Sequence, residues 1–288
     1  MARGGRRLLA ASLLAGGAAA AAVASQARPA PVPAPAPGAP LAQGARGAVV
    51  ATLPEEHRAA LAAARACAVV ADAAARPRPS LAFTQTSRGR WHCTDKSMDA
   101  ESLRAFERLE QLFVRPLAAE FFAAEARDCA FYRSELQVVS SQPGAAAQMW
   151  HQDNYSRGLT VVVPLLDLTP ELGPTQLLLG SQRLTGPPHT ESLARRVWAC
   201  FASVEVAQPP LALGSALLMD ARLVHRGLPN NSEVIDRPVV IYRYDLTSSP
   251  PPGHTVASTT AVRLLGLALH ASALLKSGGR SLFEGGQQ

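Results

Sequence analysis

Between Ser134 and Asp245 the sequence is a series of short apolar runs rich in Val, Ile and Leu, separated by Gly, Pro and Asn. That texture constrains the fold more than any other feature, because runs of this length bounded by turn residues read as strands. Six are predicted: Glu135 to Ser140, Leu159 to Leu166, Thr175 to Leu179, Val204 to Ala207, Ala216 to Val224 and Val239 to Asp245. Several short strands with irregular connections, following helices, point to a mainly β jelly roll with helices packed outside it.

The helices are expected at Pro54 to Ala75, Asp99 to Arg127 and Thr255 to Lys276. In the second, Leu103, Phe106, Leu109, Leu112 and Phe113 recur at helical spacing, and Pro116 is expected to kink or divide it. The third is apolar over much of its surface, but Arg263 and His270 interrupt it, which favours packing on the sheet over a membrane span.

Ahead of this body the chain is of another kind. Arg3, Arg6 and Arg7 precede an uncharged stretch from Leu8 to Ala24 that ends in small residues, the layout of a targeting segment over residues 1–27. It implies delivery to the secretory pathway or an organelle lumen, with membrane contact only through this segment if it stays uncleaved. Residues 28–53 begin with alternating Pro and Ala and are read as a linker, residues 54–277 as one domain and residues 278–288 as a flexible tail.

The formal charge of +6 sits almost wholly ahead of the folded body, since Arg3, Arg6, Arg7, Arg28 and Arg46 come before Glu55, the first acidic residue. The folded part is near neutral, which removes the electrostatic case for nucleic acid. Cys67, Cys93, Cys129 and Cys200 are dispersed with no C-x-x-C and read as small buried hydrophobes.

The chemistry is concentrated in Gln148-Met149-Trp150-His151-Gln152-Asp153-Asn154. In an extended segment His151 and Asp153 point the same way, so an imidazole and a carboxylate can share a cation. With a distant second histidine they would make the facial triad that holds Fe(II) and leaves coordination positions open. His225, expected at the end of an apolar strand and followed by a turn-rich loop, is the candidate. If the flanking strands pair antiparallel, Arg237 returns beside it, with a planar fork suited to a carboxylate. Arg243 lies on the same face and competes for that role; Arg237 is preferred for its closeness to the loop. Gln148 and Thr175 are candidate pocket residues, and His92 is a weaker one.

Three stretches together make the chain resemble the phytanoyl-CoA dioxygenase family. They are Pro143-Gly144 with Gln148 and Trp150 to Asn154; Glu171 to Leu177 leading to Gly180-Ser181-Gln182-Arg183; and His225 with Arg237. Two positions depart from the family pattern: Gln182, where it commonly has histidine, and Gly227, where it often has a small hydroxyl residue. The resemblance implies a double-stranded β-helix core of cupin-like jelly-roll type, with N-terminal and C-terminal helices outside. It implies His151, Asp153 and His225 as ligands of Fe(II), and Arg237 as the anchor of 2-oxoglutarate. It also implies O2 as a substrate and ascorbate as an accessory. The expected reaction is hydroxylation of a small-molecule or lipid-like substrate with release of succinate and CO2, because the presence of Asp153 argues against halogenation. The alternative is a cupin-like metal-binding protein with a non-oxygenase or purely binding role.

Overall fold

The computed structural model describes residues 47–68, 84–123, 130–184, 192–251 and 260–283. Among the described residues ten strands form two antiparallel sheets. In chain order they are β1 (Ala48–Thr52), β2 (Thr84–Ser87), β3 (Arg90–Thr94), β4 (Phe131–Ser141), β5 (Gly158–Pro164), β6 (Thr175–Leu179), β7 (Glu205–Ala207), β8 (Ser215–Asp220), β9 (His225–Gly227) and β10 (Arg237–Leu246). The major sheet runs β1-β8-β5-β10-β4-β3-β2 and the minor one β7-β6-β9. The helices are α1 (Arg58–Ala68), α2 (Ala100–Leu109), α3 (Arg115–Ala123), α4 (Leu193–Ser203) and α5 (Thr260–Phe283). None of the described helices is long and apolar enough to cross a membrane.

Strand alternation sorts the core into layers. Val239 of β10, Val139 of β4, Val162 of β5 and Leu217 and Met219 of β8 face inward and meet Leu177 and Leu179 of the minor sheet. The intervening residues, Val240 and Tyr242, Leu136 and Val138, Leu159, Val161 and Val163, face outward and pack under Phe106, Leu109, Phe113 and Phe122. Both faces of the central strands are therefore covered, which is why β5 is buried along its whole length and, Thr160 apart, reads as an apolar run. A third cluster seats Cys200 and Val204 against Val262 and Leu265 and covers Leu178 on the outer face of the minor sheet.

Several sequence expectations need correction. The expected linker ends too late, because β1 belongs to the major sheet, with Ala48 opposite Met219 and Thr52 opposite Ser215. The run from Ala216 to Val224 is not one strand: β8 stops at Asp220, the chain turns, and His225 opens β9 in the other sheet. The strands β2 and β3 are additional to the six expected. Helix α5 extends to Phe283, into the expected tail. Residues 1–46, with the leader and most of the linker, lie outside the described residues, as do residues 69–75, 124–127, 255–259 and 284–288 of the predicted helices and tail.

Pro116 does not divide its helix. The helical path continues from α2 to α3 through a π-helical turn at Glu110–Val114, immediately before the proline. The widened turn accommodates a residue that can donate no backbone hydrogen bond. It also carries the buried Glu110 carboxylate, which accepts from Tyr244 Oη at 2.7 Å and pairs with Arg133. One turn earlier Tyr242 Oη donates to the carbonyl of Phe106 at 2.8 Å. These contacts fasten the helical layer to β10.

Phe106 is fully buried at this junction. Its replacement by alanine is expected to destabilise the protein by about 3–5 kcal/mol, read as a lower urea midpoint with an unchanged m-value.

Candidate metal centre

The segment carrying His151 is held by the minor sheet, across from the major one. His151 and His225 exchange both backbone hydrogen bonds, at 3.0 and 2.9 Å, in a bridge that adds one residue to the β9 side of that sheet. The two rings lie with centroids 4.3 Å apart. Each ring is turned by a local backbone carbonyl: His151 Nδ1 sits 2.8 Å from Met149 O, and His225 Nδ1 2.9 Å from Leu223 O. A carbonyl only accepts, so in both rings Nδ1 carries a proton and Nε2 is the nitrogen turned toward Asp153.

Asp153 completes the group. Its Oδ1 is 4.0 Å from His151 Nε2 and its Oδ2 3.7 Å from His225 Nε2. The ligand atoms of the three residues all lie within 4.8 Å of one another, close enough to hold a metal ion. Burial pushes the His151 imidazole down to about 4, and the neighbouring His225 adds to the fall, so the ring is neutral near pH 7. For Asp153 burial acts upward, but the Arg243 guanidinium, both imidazoles and the Thr160 hydroxyl outweigh it and hold the carboxyl well below the usual carboxylate range. Two imidazoles and one ionised carboxylate suit a ferrous ion and supply three ligands, leaving other positions free.

The structure separates the two competing arginines. They stand six residues apart on β10, roughly 20 Å of antiparallel strand, so they serve different places. Arg243 pairs with Asp153 and Glu135, each at 3.0 Å. Arg237, at the start of β10, is 4 % exposed and has no carboxylate partner among the described residues. It does not reach the site by pairing of β9 with β10, as expected from sequence, since the two strands belong to different sheets. It arrives across the gap between the sheets instead: a Cβ placed on Gly227 would lie 3.3 Å from Arg237 Nη2.

A second guanidinium shares that position. Arg90 of β3 is 1 % exposed, and its Nη1 would stand 3.0 Å from the same added Cβ. Arg90 Nη1 and Arg237 Nη2 both donate to Ser141 Oγ, at 2.7 and 2.9 Å, from opposite sides of β4. Arg90 also donates to the carbonyls of Ala146 and Leu228. The Nε atoms of both arginines are buried without a partner. Burial pushes Arg237 down to about 9, the charge of Arg90 adding to it, and burial alone brings Arg90 to about 10. Two like charges in a dry site call for an anion.

Of the remaining candidates, Gln148 spends its side-chain oxygen on the Gly227 N–H at 2.8 Å, fixing β9. Thr175 opens β6 directly opposite Gly227. His92 lies on β3 with Nδ1 2.8 Å from Gln137 Oε1. Cys93 and Cys200 are buried, Cys67 is half-buried, and none of the three is in a disulfide, in keeping with a packing role; Cys129 is outside the described residues. Arg90 carried no signal in the sequence, because β3 (Arg-Trp-His-Cys-Thr) has no apolar run to mark it as a strand. Thr160 and Glu135, which flank Arg243, were likewise unmarked.

Comparison with known proteins places this arrangement. The sequence signature of the phytanoyl-CoA dioxygenase (PhyH) family matches residues 50–239. The chain belongs to that family. The matched span runs from within β1 to the first residues of β10, so it takes in the triad, both arginines of the pair and Gly227. No curated protein matches the chain. Among solved structures the chain is similar to AviO1 from Streptomyces viridochromogenes Tue57, at 21 % identity over 72 % of this chain and 92 % of that one, with a TM-score of 0.49. It is also similar to SnoN, the non-haem alpha-ketoglutarate-dependent epimerase of nogalamycin biosynthesis, at 19 % identity over 69 % and 78 %, TM-score 0.49. HygX from Streptomyces hygroscopicus, solved with nickel and 2-oxoglutarate, matches at 14 % over 76 % and 90 %, TM-score 0.46. In this family member, His225→Ala and Asp153→Ala are each expected to abolish binding of one equivalent of Ni(II), measured by titration calorimetry on folded protein.

Proposed function

We propose that the protein is an Fe(II)- and 2-oxoglutarate-dependent oxygenase that hydroxylates a small-molecule substrate. One observation carries the reading: the two unneutralised buried guanidiniums lie at one end of β9 and the metal-binding group at the other. His225 and Gly227 are two residues apart on a strand, roughly 7 Å, the length scale of a five-carbon dicarboxylate laid between a metal and its anchor. Membership of the phytanoyl-CoA dioxygenase family supports the same assignment.

In this reading His151, Asp153 and His225 hold the iron. Bound Fe(II) supplies activation of dioxygen coupled to oxidative decarboxylation of the keto acid to succinate and CO2. The chain's own residues do the rest. Arg237 and Arg90 take the far carboxylate, and each can present two N–H groups to it. Ser141 Oγ accepts from both guanidiniums and sets their separation. Gly227 keeps the space above them clear, since any side chain there would meet Gln148, Arg90 and Arg237 within 3.3 Å. Val139 and Val239, on the inward face next to Ser141 and Arg237, line the path with apolar surface and keep water from the anion.

The targeting segment read in residues 1–27 adds a proposed location, the secretory pathway or an organelle lumen. A cupin-like protein that only binds a metal would leave the paired arginines without a partner, so it accounts for less of the structure.

The test is turnover of 2-oxoglutarate to succinate by iron-loaded protein across a panel of small polar, natural-product-like and acyl substrates. Arg237→Ala is expected to raise the KM for 2-oxoglutarate by at least about a hundredfold, the equivalent of losing a charge-assisted pair worth roughly 3 kcal/mol. An unchanged KM would contradict the anchor.

A further inference from the structure

The three members of the metal-binding group are not held alike. Each histidine is turned by a backbone carbonyl close to it in sequence. Asp153 is gripped by side chains of the major sheet. Glu135 of β4, Arg243 of β10 and Thr160 of β5 are direct neighbours in register, Arg243 opposite Glu135 on one side and Thr160 on the other. Together they form one row across the sheet.

From that row Arg243 Nη2 reaches Asp153 Oδ1 at 3.0 Å, and Thr160 Oγ1 donates to Asp153 Oδ2 at 2.7 Å. Arg243 Nη1 pairs with Glu135 Oε2, also at 3.0 Å. The side chains of Arg243 and Asp153 are each only 6 % exposed, so water does little to screen the pair. A carboxylate held by one donor can still turn about its Cβ–Cγ bond. Donors on both oxygens, coming from two different strands, stop that rotation.

We propose that Arg243 and Thr160 are positioning residues that lock the Asp153 carboxylate in the orientation its metal requires, with Glu135 holding the Arg243 fork in place. The proposal rests on the reading of His151, Asp153 and His225 as a metal site. The lock comes from the sheet, so the angle of the carboxylate is set by strand register. The loop that carries Asp153 in sequence does not determine it.

Co(II) serves as the probe, with affinity measured by competition with a chromogenic chelator and coordination by its ligand-field absorption spectrum, both without turnover. Thr160→Val keeps the shape of the side chain and removes the donor. It is expected to weaken Co(II) binding by about 10- to 100-fold, the usual effect of deleting a hydrogen bond to a metal ligand, and to alter the spectrum. Thr160→Ser, which restores the hydroxyl, is expected to recover both. Arg243→Lys keeps the charge but loses the fork and is expected to fall with the valine variant. Because Thr160→Val changes neither charge nor volume greatly, it decides the matter even if Arg243→Lys fails to fold. Wild-type affinity and spectrum in Thr160→Val and Arg243→Lys, alongside loss of metal in Asp153→Asn, would overturn the lock and leave the metal site standing. Wild-type affinity in Asp153→Asn would instead overturn the metal site itself.

Discussion

The doubled backbone hydrogen bond between His151 and His225 is the constraint on which the rest of the structure depends. These residues stand far apart in sequence, one before β5 and the other after β8, and the bridge is what makes them adjacent. It brings their rings within 4.3 Å. It also fixes Asp153, two residues on, over the row of Thr160 and Arg243. The metal-binding group is thus a suture between the two sheets, with the histidines on the minor one and the carboxylate fastened to the major one. The gap it closes is the interior in which the paired arginines sit.

Charge explains why that interior is specific. Among the described residues, Arg243 has two acidic partners and contributes no free positive field. Arg90 and Arg237 have none and are almost wholly buried. A neutral ligand would leave them uncompensated, whereas an anion placed between them offsets their desolvation and pairs with their open N–H groups. The same two arginines on the surface would carry little meaning, because exposed charges are screened and weakly held. Burial turns them into a selection rule for what can enter.

Much of this was legible in the sequence, for identifiable reasons. The pairing of His151 with Asp153 follows from alternation alone. The strands β4, β5, β6 and β10 stand out because both of their faces are buried over Val138-Val139, Val161 to Val163, Leu177 to Leu179 and Val239-Val240. Alternation likewise puts Arg237 and Arg243 on one face of one strand. What alternation cannot give is the distant partner on the neighbouring strand, so their division of labour appeared only with the register of β10 against β4 and β5. The edge regions were the least readable. β1 is a run of four small apolar residues closed by Thr52, too short to stand out after low-complexity Pro and Ala. β3 alternates Arg, His and Thr with Trp and Cys and shows no hydrophobic run, so nothing in the sequence marks Arg90. The break between β8 and His225 is hidden in the sequence because the turn after Asp220 is apolar apart from Arg222, with Leu223 and Val224 buried in separate clusters.

The most direct test of the account is a crystal structure of the protein grown without oxygen in the presence of Mn(II) and 2-oxoglutarate, with the metal located by its anomalous signal. The account predicts a single metal bonded to His151 Nε2, His225 Nε2 and an oxygen of Asp153, with the far carboxylate of the keto acid lying between Arg90 and Arg237 beside Gly227. A metal bound elsewhere, or a keto acid whose far end turns away from the two arginines, would contradict it.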